Sequence, residues 1–420
     1  MQRRVFLKSG ALALVTIGLS PSLVKRTAFA TELRRTAKGK ILICIFQRGA
    51  ADALNMVVPH GDAAYYALRP GIAIPRPSRG RAAALELDGF FGLHPSLAPL
   101  HPLWERGLLA PVHAVGSPSA TRSHFDAQDF MESGTPDVKG TPDGWLNRYL
   151  AVRGTCAECD TVPLRPSPFR AVALAQTTPR AMQGPAPTIA MASLQDFSIR
   201  AAGPDAEARL EALYRSGSAD LIHGAGQETF EAVKMLRAAN PRRYAPAPGA
   251  DYPRSPFGQS LLQIAQLVKS DVGLEIAFAD VGGWDTHVNQ GGVAGQLANR
   301  FDDFARAVAA LVTDLGDRLE DVVILTMSEF GRMARQNGNG GTDHGYAGAL
   351  FVIGGGVHGR KVHGRWPGLQ PEQLHEGRDL ALTTDFRTVF NEIVTRHLGA
   401  TNTAQIFPGF DGPARLGVLR

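Results

Sequence analysis

The feature that most constrains the fold is the run at residues 41–46, where Ile, Leu, Ile, Cys, Ile and Phe follow one another without a polar residue. A strand with one face in water alternates apolar and polar residues, so this run predicts a strand that is buried on both faces. Such strands are typical of α/β proteins, in which helices cover both faces of a mostly parallel sheet. The next residues, 47–52, are polar or small and include a glycine, which predicts a loop at the carboxyl end of this strand.

Strand and helix patterns alternate along much of the remaining chain. Further strands are predicted at residues 110–115, 274–279, 322–326 and 349–353. Apolar residues three and four apart predict a helix between residues 297 and 315, and a last helix is predicted at 385–398 with Thr384 or Asp385 as its cap. We therefore predict one α/β domain over residues 31–420, with a mostly parallel central sheet and helices on both faces.

Residues 154–255 are richer in Pro, Arg and Ala and show little periodicity. They predict a less regular insertion or cap, with helices at 204–216 and 226–239 and a strand at 187–192. Cys156 and Cys159 form a C-x-x-C motif in this segment, and a local disulfide, a redox pair and half of a zinc site are its alternative interpretations. Cys44 lies within the first predicted strand and is interpreted as a small core residue.

The first 30 residues have the pattern of an export signal. Arg3 and Arg4 precede Phe-Leu-Lys, a short apolar stretch and an Ala-Phe-Ala end at residue 30. This leader resembles a twin-arginine signal, which addresses folded proteins. The twin-arginine translocase is thus the expected partner during export, and the periplasm is the expected location. An uncleaved anchor and an N-terminal helix of the domain are the alternatives.

Charge argues against two kinds of partner. Five of the 44 basic residues and none of the 39 acidic residues lie in the first 30 positions, so the rest of the chain is balanced in charge. A balanced surface gives no reason to expect nucleic acid or a membrane surface as a partner. No apolar run of about 18 residues occurs after the leader, so no internal membrane span is predicted.

Polar residues cluster just after the predicted strands. The four clusters are Arg48 with Asp52, residues 122–126, Asp285 with His287, and residues 328–332. The carboxyl ends of parallel strands share one edge of an open α/β sheet, where ligands bind. We therefore expect these clusters to converge on one site.

Two close Asp–His pairs lie in glycine-rich loops, Asp285 with His287 and Asp343 with His344. Oxygen and nitrogen ligands together suit Zn²⁺, Mn²⁺ or iron, and two such sets suit a two-metal centre for phosphoryl or sulfuryl chemistry. A hydrogen-bonded Asp–His pair in a turn is the alternative interpretation of each.

Other candidates lie in the same clusters. Ser123 is either the cap of a helix or a nucleophile. Arg48, Arg122 and Arg332 are each candidates to hold an anionic substrate, with a structural role as the alternative. Glu329 is a candidate metal ligand or general base.

Five motifs resemble the domain-of-unknown-function family 1501 of bacterial proteins. They are the sequences at residues 46–55, 122–128, 283–287, 328–332 and 342–345. The resemblance covers nearly the whole chain after the leader. It implies an alkaline-phosphatase-like fold of the alkaline phosphatase–sulfatase superfamily and, by analogy, a two-metal hydrolase or phosphomutase-like site.

The resemblance also implies roles for single residues. Asp343 and His344 resemble the metal-binding Asp-His-Gly of that superfamily. Asp285 and His287 resemble its other set of metal ligands. Ser123 stands where the superfamily has its nucleophile, and Asp52 stands for the acidic metal ligand after the first strand. The alternatives for the last ligand are His358, His363 and His375.

Two functions from different classes follow. The first is an exported hydrolase of phosphate or sulfate esters that depends on divalent metal ions such as Zn²⁺ or Mn²⁺, and the analogy implies two of them. Its substrate would be an anionic small molecule or glycan. The second is a non-catalytic cell-envelope protein on the same fold that binds an anionic glycan or a protein partner. A redox function of Cys156 and Cys159 is a third alternative.

Overall fold

The computed structural model describes residues 39–80, 82–153, 167–194, 244–413 and 415–420. The leader, the C-x-x-C motif and the helices predicted at 204–216 and 226–239 lie outside these residues. Most of the remaining chain surrounds one large sheet.

The described residues contain eleven strands, which are numbered in chain order. They are β1 (Ile41–Gln47), β2 (Val57–Val58), β3 (Leu85–Glu86), β4 (Gly92–Leu93), β5 (Leu109–Gly116), β6 (Ala171–Leu174), β7 (Ile189–Met191), β8 (Ile276–Val281), β9 (Val322–Met327), β10 (Gly348–Gly354) and β11 (Thr384–Asp385).

The α-helices of the described residues are numbered in the same way. They are α1 (Ala53–Met56), α2 (Ala63–Leu68), α3 (His101–Glu105), α4 (His124–Ser133), α5 (Trp145–Arg153), α6 (Pro256–Lys269), α7 (Gln296–Leu315), α8 (Phe386–Glu392) and α9 (Thr403–Ile406). A π-helical turn (Ile393–His397) continues α8, so the predicted last helix has a change of winding within it.

Eight strands form the central sheet in the order β11-β5-β10-β9-β1-β8-β6-β7, and β2, β4 and β3 form a small separate sheet. β1 pairs in parallel with both β8 and β9. β10 is antiparallel to both of its neighbours, β9 and β5, whereas the other pairings in the sheet are parallel. The predicted α/β class with a mostly parallel sheet is confirmed.

The reversed direction of β10 decides where its preceding loop lies. Because β10 is antiparallel, it begins at the edge where the parallel strands end. Asp343 and His344 precede β10 and therefore lie at the same edge as the loops that follow β1, β8 and β9. All the predicted polar clusters thus share one edge of the sheet, as expected for ligand sites of open α/β sheets.

The sheet also corrects the bounds of the predicted insertion. β6 pairs with β8, and β7 pairs with β6, so both strands belong to the central sheet rather than to a cap. The strand predicted at 187–192 is confirmed as β7. Strands of three and four residues give too short a hydrophobic pattern to show that they extend a distant sheet.

The two faces of β1 build two separate halves of the core. Ile41, Ile43 and Ile45 pack on one side with residues of α6 and α7. Leu42 and Cys44 pack on the other side with residues of α5 and α8. Because successive side chains of a strand point to opposite faces, the unbroken apolar run is the expected sequence for a strand between two helical layers. The interpretation of Cys44 as a buried core residue is confirmed, and its thiol is free.

In the described part of the chain, no helix is long and apolar enough to cross a membrane.

Candidate metal centre

Three histidines and one aspartate converge at the carboxyl edge of the sheet. The Nε2 atom of His344 lies 3.0 Å from the Nε2 atoms of both His124 and His287. The Oδ1 atom of Asp285 lies 3.1 Å from Nε2 of His344 and 2.9 Å from Nε2 of His287. The other carboxylate oxygen of Asp285 lies 3.5 Å from Nε2 of His124. We call these four side chains the His–Asp cluster.

Each member of the cluster comes from a loop or a helix end beside the sheet. His124 is the first residue of α4, which follows β5. Asp285 and His287 lie in the loop after β8, and His344 lies in the loop before β10. The cluster therefore depends on the whole sheet for its assembly.

Two glycines allow the loops around His344 to approach each other. The backbone N–H of Gly345 donates to the carbonyl of Gly331 at 2.8 Å, and the N–H of Gly331 donates to the carbonyl of Tyr346 at 2.8 Å. A Cβ atom on Gly331 would collide with the carbonyl of Ala347, and one on Gly345 would collide with the backbone of Arg332. The glycines of the Phe-Gly-Arg and Asp-His-Gly motifs are thus needed for close backbone packing.

The second ring nitrogen of each histidine is held by an acceptor. Nδ1 of His124 donates to Glu329 at 2.7 Å, and Nδ1 of His287 donates to Asp343 at 2.9 Å. Nδ1 of His344 faces the backbone carbonyl of Arg122 at 2.9 Å. Carboxylates and carbonyls accept hydrogen bonds, so a ring that donates from Nδ1 keeps the lone pair of its Nε2 atom for a metal ion.

This arrangement fits a bound metal ion. Histidines that bind metals usually donate their other N–H group to a carboxylate or a carbonyl, which fixes the ring and its tautomer. Two nitrogens bound tetrahedrally to one zinc ion are about 3.3 Å apart, close to the 3.0 Å between Nε2 atoms here. Three imidazole nitrogens and one carboxylate suit Zn²⁺ and related transition metals.

Asp285 remains ionised because a buried arginine lies against it. Nη1 of Arg332 donates to Oδ1 of Asp285 at 2.6 Å, and the Arg332 side chain is fully buried. Burial would raise the pKa of Asp285, but the hydrogen bond and the charge of Arg332 hold that pKa below its usual range. Arg332 is itself fixed by the hydroxyl and the carbonyl of Thr342.

The three histidines do not share one electrostatic environment. The hydrogen bond to Glu329 raises the pKa of His124, whereas burial lowers the pKa of His344. Burial would raise the pKa of Glu329, but the hydrogen bond from His124 holds it below its usual range. Glu329 is fully buried and also accepts from the backbone N–H of Gly49 and from Gln128, so its role is to orient His124. It is therefore placed as neither a free general base nor a direct ligand.

Ser123 lies next to the cluster at the start of α4. It occupies the N-cap position, but its side chain makes no capping hydrogen bond, and the residue is exposed. The predicted N-cap position of Ser123 is therefore confirmed, although its hydroxyl takes no part in capping. The candidate role as a nucleophile is compatible with an uncommitted hydroxyl adjacent to His124.

Asp52 is not in the cluster, although the resemblance implied that it is a metal ligand. Its Oδ2 atom accepts from Nη1 of Arg69 at 2.6 Å and from Nε2 of Gln290 at 2.7 Å, and its side chain is almost fully buried. The carboxylate is thus paired with a buried guanidinium at the start of α1. Its Oδ2 atom is therefore bound to Arg69 and Gln290 and not to a member of the cluster.

Like Arg332, the other two arginines predicted to hold an anionic substrate, Arg48 and Arg122, are held in ion pairs. Arg48 donates to Glu132 at 2.9 Å and to Asp280 at 2.7 Å. Arg122 donates to Asp379 at 2.6 Å and also pairs with Glu376. The prediction that either guanidinium is free to hold a substrate is not supported by these contacts, and the contribution of Arg122 to the site is its backbone carbonyl.

The two predicted Asp–His pairs contribute to one site rather than to two. Three of their residues belong to the His–Asp cluster, and Asp343 lies beside it. Asp343 contacts Nδ1 of His287 and the amide of Asn337, so it lies behind the histidine. Among the described residues, one group has mutual distances suited to a metal ion, namely His124, Asp285 and His344, and His287 adjoins it. The alternatives for a last ligand lie elsewhere, since His363 faces the carbonyl of His358 and His375 stacks on Tyr346.

Sequence reasoning did not include His124 among the ligands. The residue stands inside the motif at 122–128, beside the candidate nucleophile, but it has no aspartate next to it. Its partner is Glu329, 205 positions away. The available signal was a histidine at the predicted start of a helix, in the segment that follows a predicted strand.

Fold and cluster together define a class: an α/β protein whose mostly parallel sheet carries a His–Asp cluster, with the arrangement of a metal centre, at its carboxyl edge. The chain belongs to the family DUF1501, described as "Protein of unknown function", whose match covers residues 39–407. The family resemblance of the sequence motifs is thereby confirmed.

Three solved structures are similar to the chain at low identity. The lipoteichoic acid synthase LtaP from Listeria monocytogenes is 10% identical, with 94% of this chain and 81% of that chain covered and a TM-score of 0.38. The PsFucS1 sulfatase from Pseudoalteromonas sp. is 11% identical, with 91% and 72% covered and a TM-score of 0.37. The PH0037 protein from Pyrococcus horikoshii is 14% identical, with 77% and 87% covered and a TM-score of 0.30. No curated protein matches the chain in sequence.

Proposed function

We propose that the chain is an exported hydrolase of phosphate or sulfate esters that depends on one divalent transition metal ion held by the His–Asp cluster. The observation that carries this proposal is the convergence of three Nε2 atoms on one carboxylate, with each Nδ1 atom held by an acceptor. Three imidazole nitrogens and a carboxylate oxygen that converge on one point form a ligand set that a cation would join.

The proposed ligands are His124, His287, His344 and Asp285. Glu329, Asp343 and the carbonyl of Arg122 orient the three rings, and Arg332 orients Asp285. When bound, a divalent metal ion supplies positive charge that polarises an ester and stabilises the negative charge developing on its oxygens. An anionic substrate, including an anionic glycan, matches a centre of this charge.

Ser123 is the proposed nucleophile. Its hydroxyl oxygen would form a bond to phosphorus or sulfur while the ester's alcohol leaves with the serine proton. Water would then cleave the serine ester and release phosphate or sulfate, which restores the hydroxyl. The N-terminus of α4 favours negative charge next to Ser123, because the first N–H groups of a helix have no partner within it.

The test begins with the metal content of protein purified from the periplasm. We expect about one equivalent of Zn²⁺ or a related metal per chain, and turnover in a screen of phosphate and sulfate monoesters. The Ser123→Ala variant should keep its metal and lose turnover.

Ser255→Ala is the matched control, because Ser255 is also an N-cap serine and its side chain does accept from the N–H of Gly258. We expect that control to lose stability and keep turnover. Folded protein that contains no metal and cleaves no ester would refute the hydrolase proposal and favour a non-catalytic envelope protein.

A further inference from the structure

One buried carboxylate outside the His–Asp cluster holds two arginines. Asp379 belongs to the segment before β11, and its side chain is fully buried. Burial of a carboxylate is costly unless hydrogen bonds and opposite charges compensate it. The groups that bind this carboxylate therefore show what it keeps in place.

Both arginines bind the same oxygen of Asp379. Its Oδ2 atom accepts from Nη2 of Arg122 at 2.6 Å and from Nε of the same side chain at 3.2 Å. It also accepts from Nη1 of Arg378 at 3.4 Å. Arg122 lies just before α4 and Arg378 lies in the segment before β11, so one oxygen joins two parts of the chain that are distant in sequence.

Each of these arginines also contacts His344. The backbone carbonyl of Arg122 faces Nδ1 of the His344 ring at 2.9 Å. Nη2 of Arg378 donates to the backbone carbonyl of His344 at 2.9 Å. His344 is thus held at its ring by one arginine and at its backbone by the other. The Nε2 atom of the same ring is the one that lies 3.0 Å from the Nε2 atoms of both other histidines of the cluster.

Backbone contacts fix Asp379 beside the same loop. Met333 forms a backbone bridge with Asp379, and Arg332 forms one with His344. The N–H of Met333 also donates to the carbonyl of Asp343 at 2.8 Å. The segment after β9 therefore contacts both the loop of His344 and the segment of Asp379, which gives the buried carboxylate a defined position relative to that loop.

We propose that Asp379 is a positioning residue of the proposed metal centre, which fixes the ring and the backbone of His344 through Arg122 and Arg378. This inference rests on the proposed function and adds a residue that acts only through others. A ring that shifts or turns loses the alignment of its Nε2 lone pair with a metal ion, so the groups that fix the ring contribute to metal affinity.

A second carboxylate binds the same guanidinium and provides the matched control. Oε2 of Glu376 accepts from Nη2 of Arg122 at 2.7 Å, close to the 2.6 Å to Asp379. The side chain of Glu376 is 57% exposed, however, and exposed ion pairs contribute little because water and salt screen them. Glu376→Gln and Asp379→Asn each remove one charge with little change of shape, but only the second removes the buried group that joins both arginines.

The test titrates metal-free protein with Zn²⁺ in a competing chelator and records the visible absorption spectrum of the Co²⁺-loaded protein, which reports the arrangement of ligands around the ion. We expect Asp379→Asn to lower zinc affinity by about tenfold and to change the Co²⁺ spectrum. Glu376→Gln should match the unaltered protein in both measurements. Arg378→Ala removes the contact with the backbone of His344 and should lower zinc affinity by a smaller factor.

A further variant separates positioning from stability. Asp314 is also a buried carboxylate, and its side-chain partners include Tyr244 and Lys269 rather than residues of the centre. Asp314→Asn should therefore destabilise the fold and leave zinc affinity and the Co²⁺ spectrum unchanged. An equal loss of affinity in Asp314→Asn and Asp379→Asn would overturn the positioning role, because the effect would then follow stability alone.

The remaining outcomes separate this inference from the proposed function. Unchanged zinc affinity and an unchanged Co²⁺ spectrum in Asp379→Asn would overturn the positioning role and leave the metal centre standing. If Asp379→Asn does not fold, Arg378→Ala decides, and an unchanged affinity in that variant would overturn the role as well. Unaltered protein that binds neither Zn²⁺ nor Co²⁺ would instead refute the proposed function on which the inference rests.

Discussion

At the scale of single residues, Asp285 and Asp343 have different relations to the same histidine. Asp285 faces Nε2 of His287, where a metal would bind, at 2.9 Å. Asp343 accepts a hydrogen bond from Nδ1 of His287 at 2.9 Å and also contacts Asn337. In the proposed metal centre, one carboxylate is therefore a ligand, and the other orients a ligand.

We predict that substitution of the two carboxylates weakens metal binding to different extents. Removal of an orienting group typically costs 10- to 100-fold in metal affinity, so we expect Asp343→Ala to weaken binding by about that factor while saturation still gives one ion per chain. Asp285→Ala removes a ligand and should weaken binding more. Titration with zinc in a competing chelator measures both affinities, and equal losses in the two variants would contradict the distinction.

The sequence predicted four of the candidate residues that the structure brings together, Asp285, His287, Asp343 and His344. Each was visible as an Asp–His pair in a glycine-rich loop. His124 was missed because its carboxylate partner, Glu329, is distant in sequence. Asp52 was misassigned because an acidic residue after a strand gives no sign of a buried arginine such as Arg69.

At the scale of elements, α7 holds the segment before α6 through one buried carboxylate. Asp314 near the end of α7 accepts from the hydroxyls of Tyr244 and Tyr252 at 2.7 and 3.0 Å. It also accepts from Nζ of Lys269 and from the N–H of Ala247, both at 2.9 Å. Four donors from residues 244–269 therefore depend on one side chain.

We predict that Asp314→Asn lowers the free energy of unfolding by about 2 kcal/mol at neutral pH, because the buried carboxylate loses the charge that strengthens its hydrogen bonds from Tyr244, Tyr252 and Lys269. Asp317→Asn, at an exposed residue just after α7, is the matched control and should change stability little. Urea unfolding measures both. Similar stabilities of the two variants would contradict a structural role for Asp314.

The same carboxylate predicts a dependence on pH. Burial would raise the pKa of Asp314, but its hydrogen bonds, led by that from Ala247, hold the pKa below its usual value. Its contribution to stability is therefore complete above the ordinary aspartate pKa of about 3.9 and is lost as the pH falls through the lower folded value. The stability difference between the unaltered protein and Asp314→Asn should shrink in that acidic range and stay constant above it.

The sequence predicts the position of a strand or helix where burial requires a regular pattern of apolar residues. β1 and β9 are apolar except for Gln47 and Thr326 because they lie inside the sheet, and α7 has a clear apolar face. The direction of β10 left no such pattern, since a buried strand has the same composition whether it is parallel or antiparallel. That direction is what brings the loop with His344 to the site.

At the scale of the whole molecule, the candidate metal centre exists only in the folded chain. His124 and His344 are 220 positions apart, and they are brought together by loops at the edge of one sheet. A metal ion that binds there selectively stabilises the folded state, since the unfolded chain has no such arrangement. Export of folded protein would allow the ion to be bound before the chain leaves the cytoplasm.

We expect the twin arginines of the leader to determine whether the chain is exported in this folded form, and substitution tests their role. Arg3→Lys/Arg4→Lys is expected to leave unprocessed precursor in the cytoplasm, because the twin-arginine pathway reads that pair as an address. Arg34→Lys/Arg35→Lys is the matched control, since it alters the same residue pair just beyond the predicted signal at residues 1–30. Fractionation followed by immunoblotting of precursor and mature forms measures both variants, with metal content determined in each fraction.

We expect the retained precursor of Arg3→Lys/Arg4→Lys to be folded and metal-loaded, and the control to reach the periplasm as the unaltered protein does. Normal export of the leader variant would refute the twin-arginine interpretation, and retained precursor that is folded but free of metal would show that the ion is bound only after export.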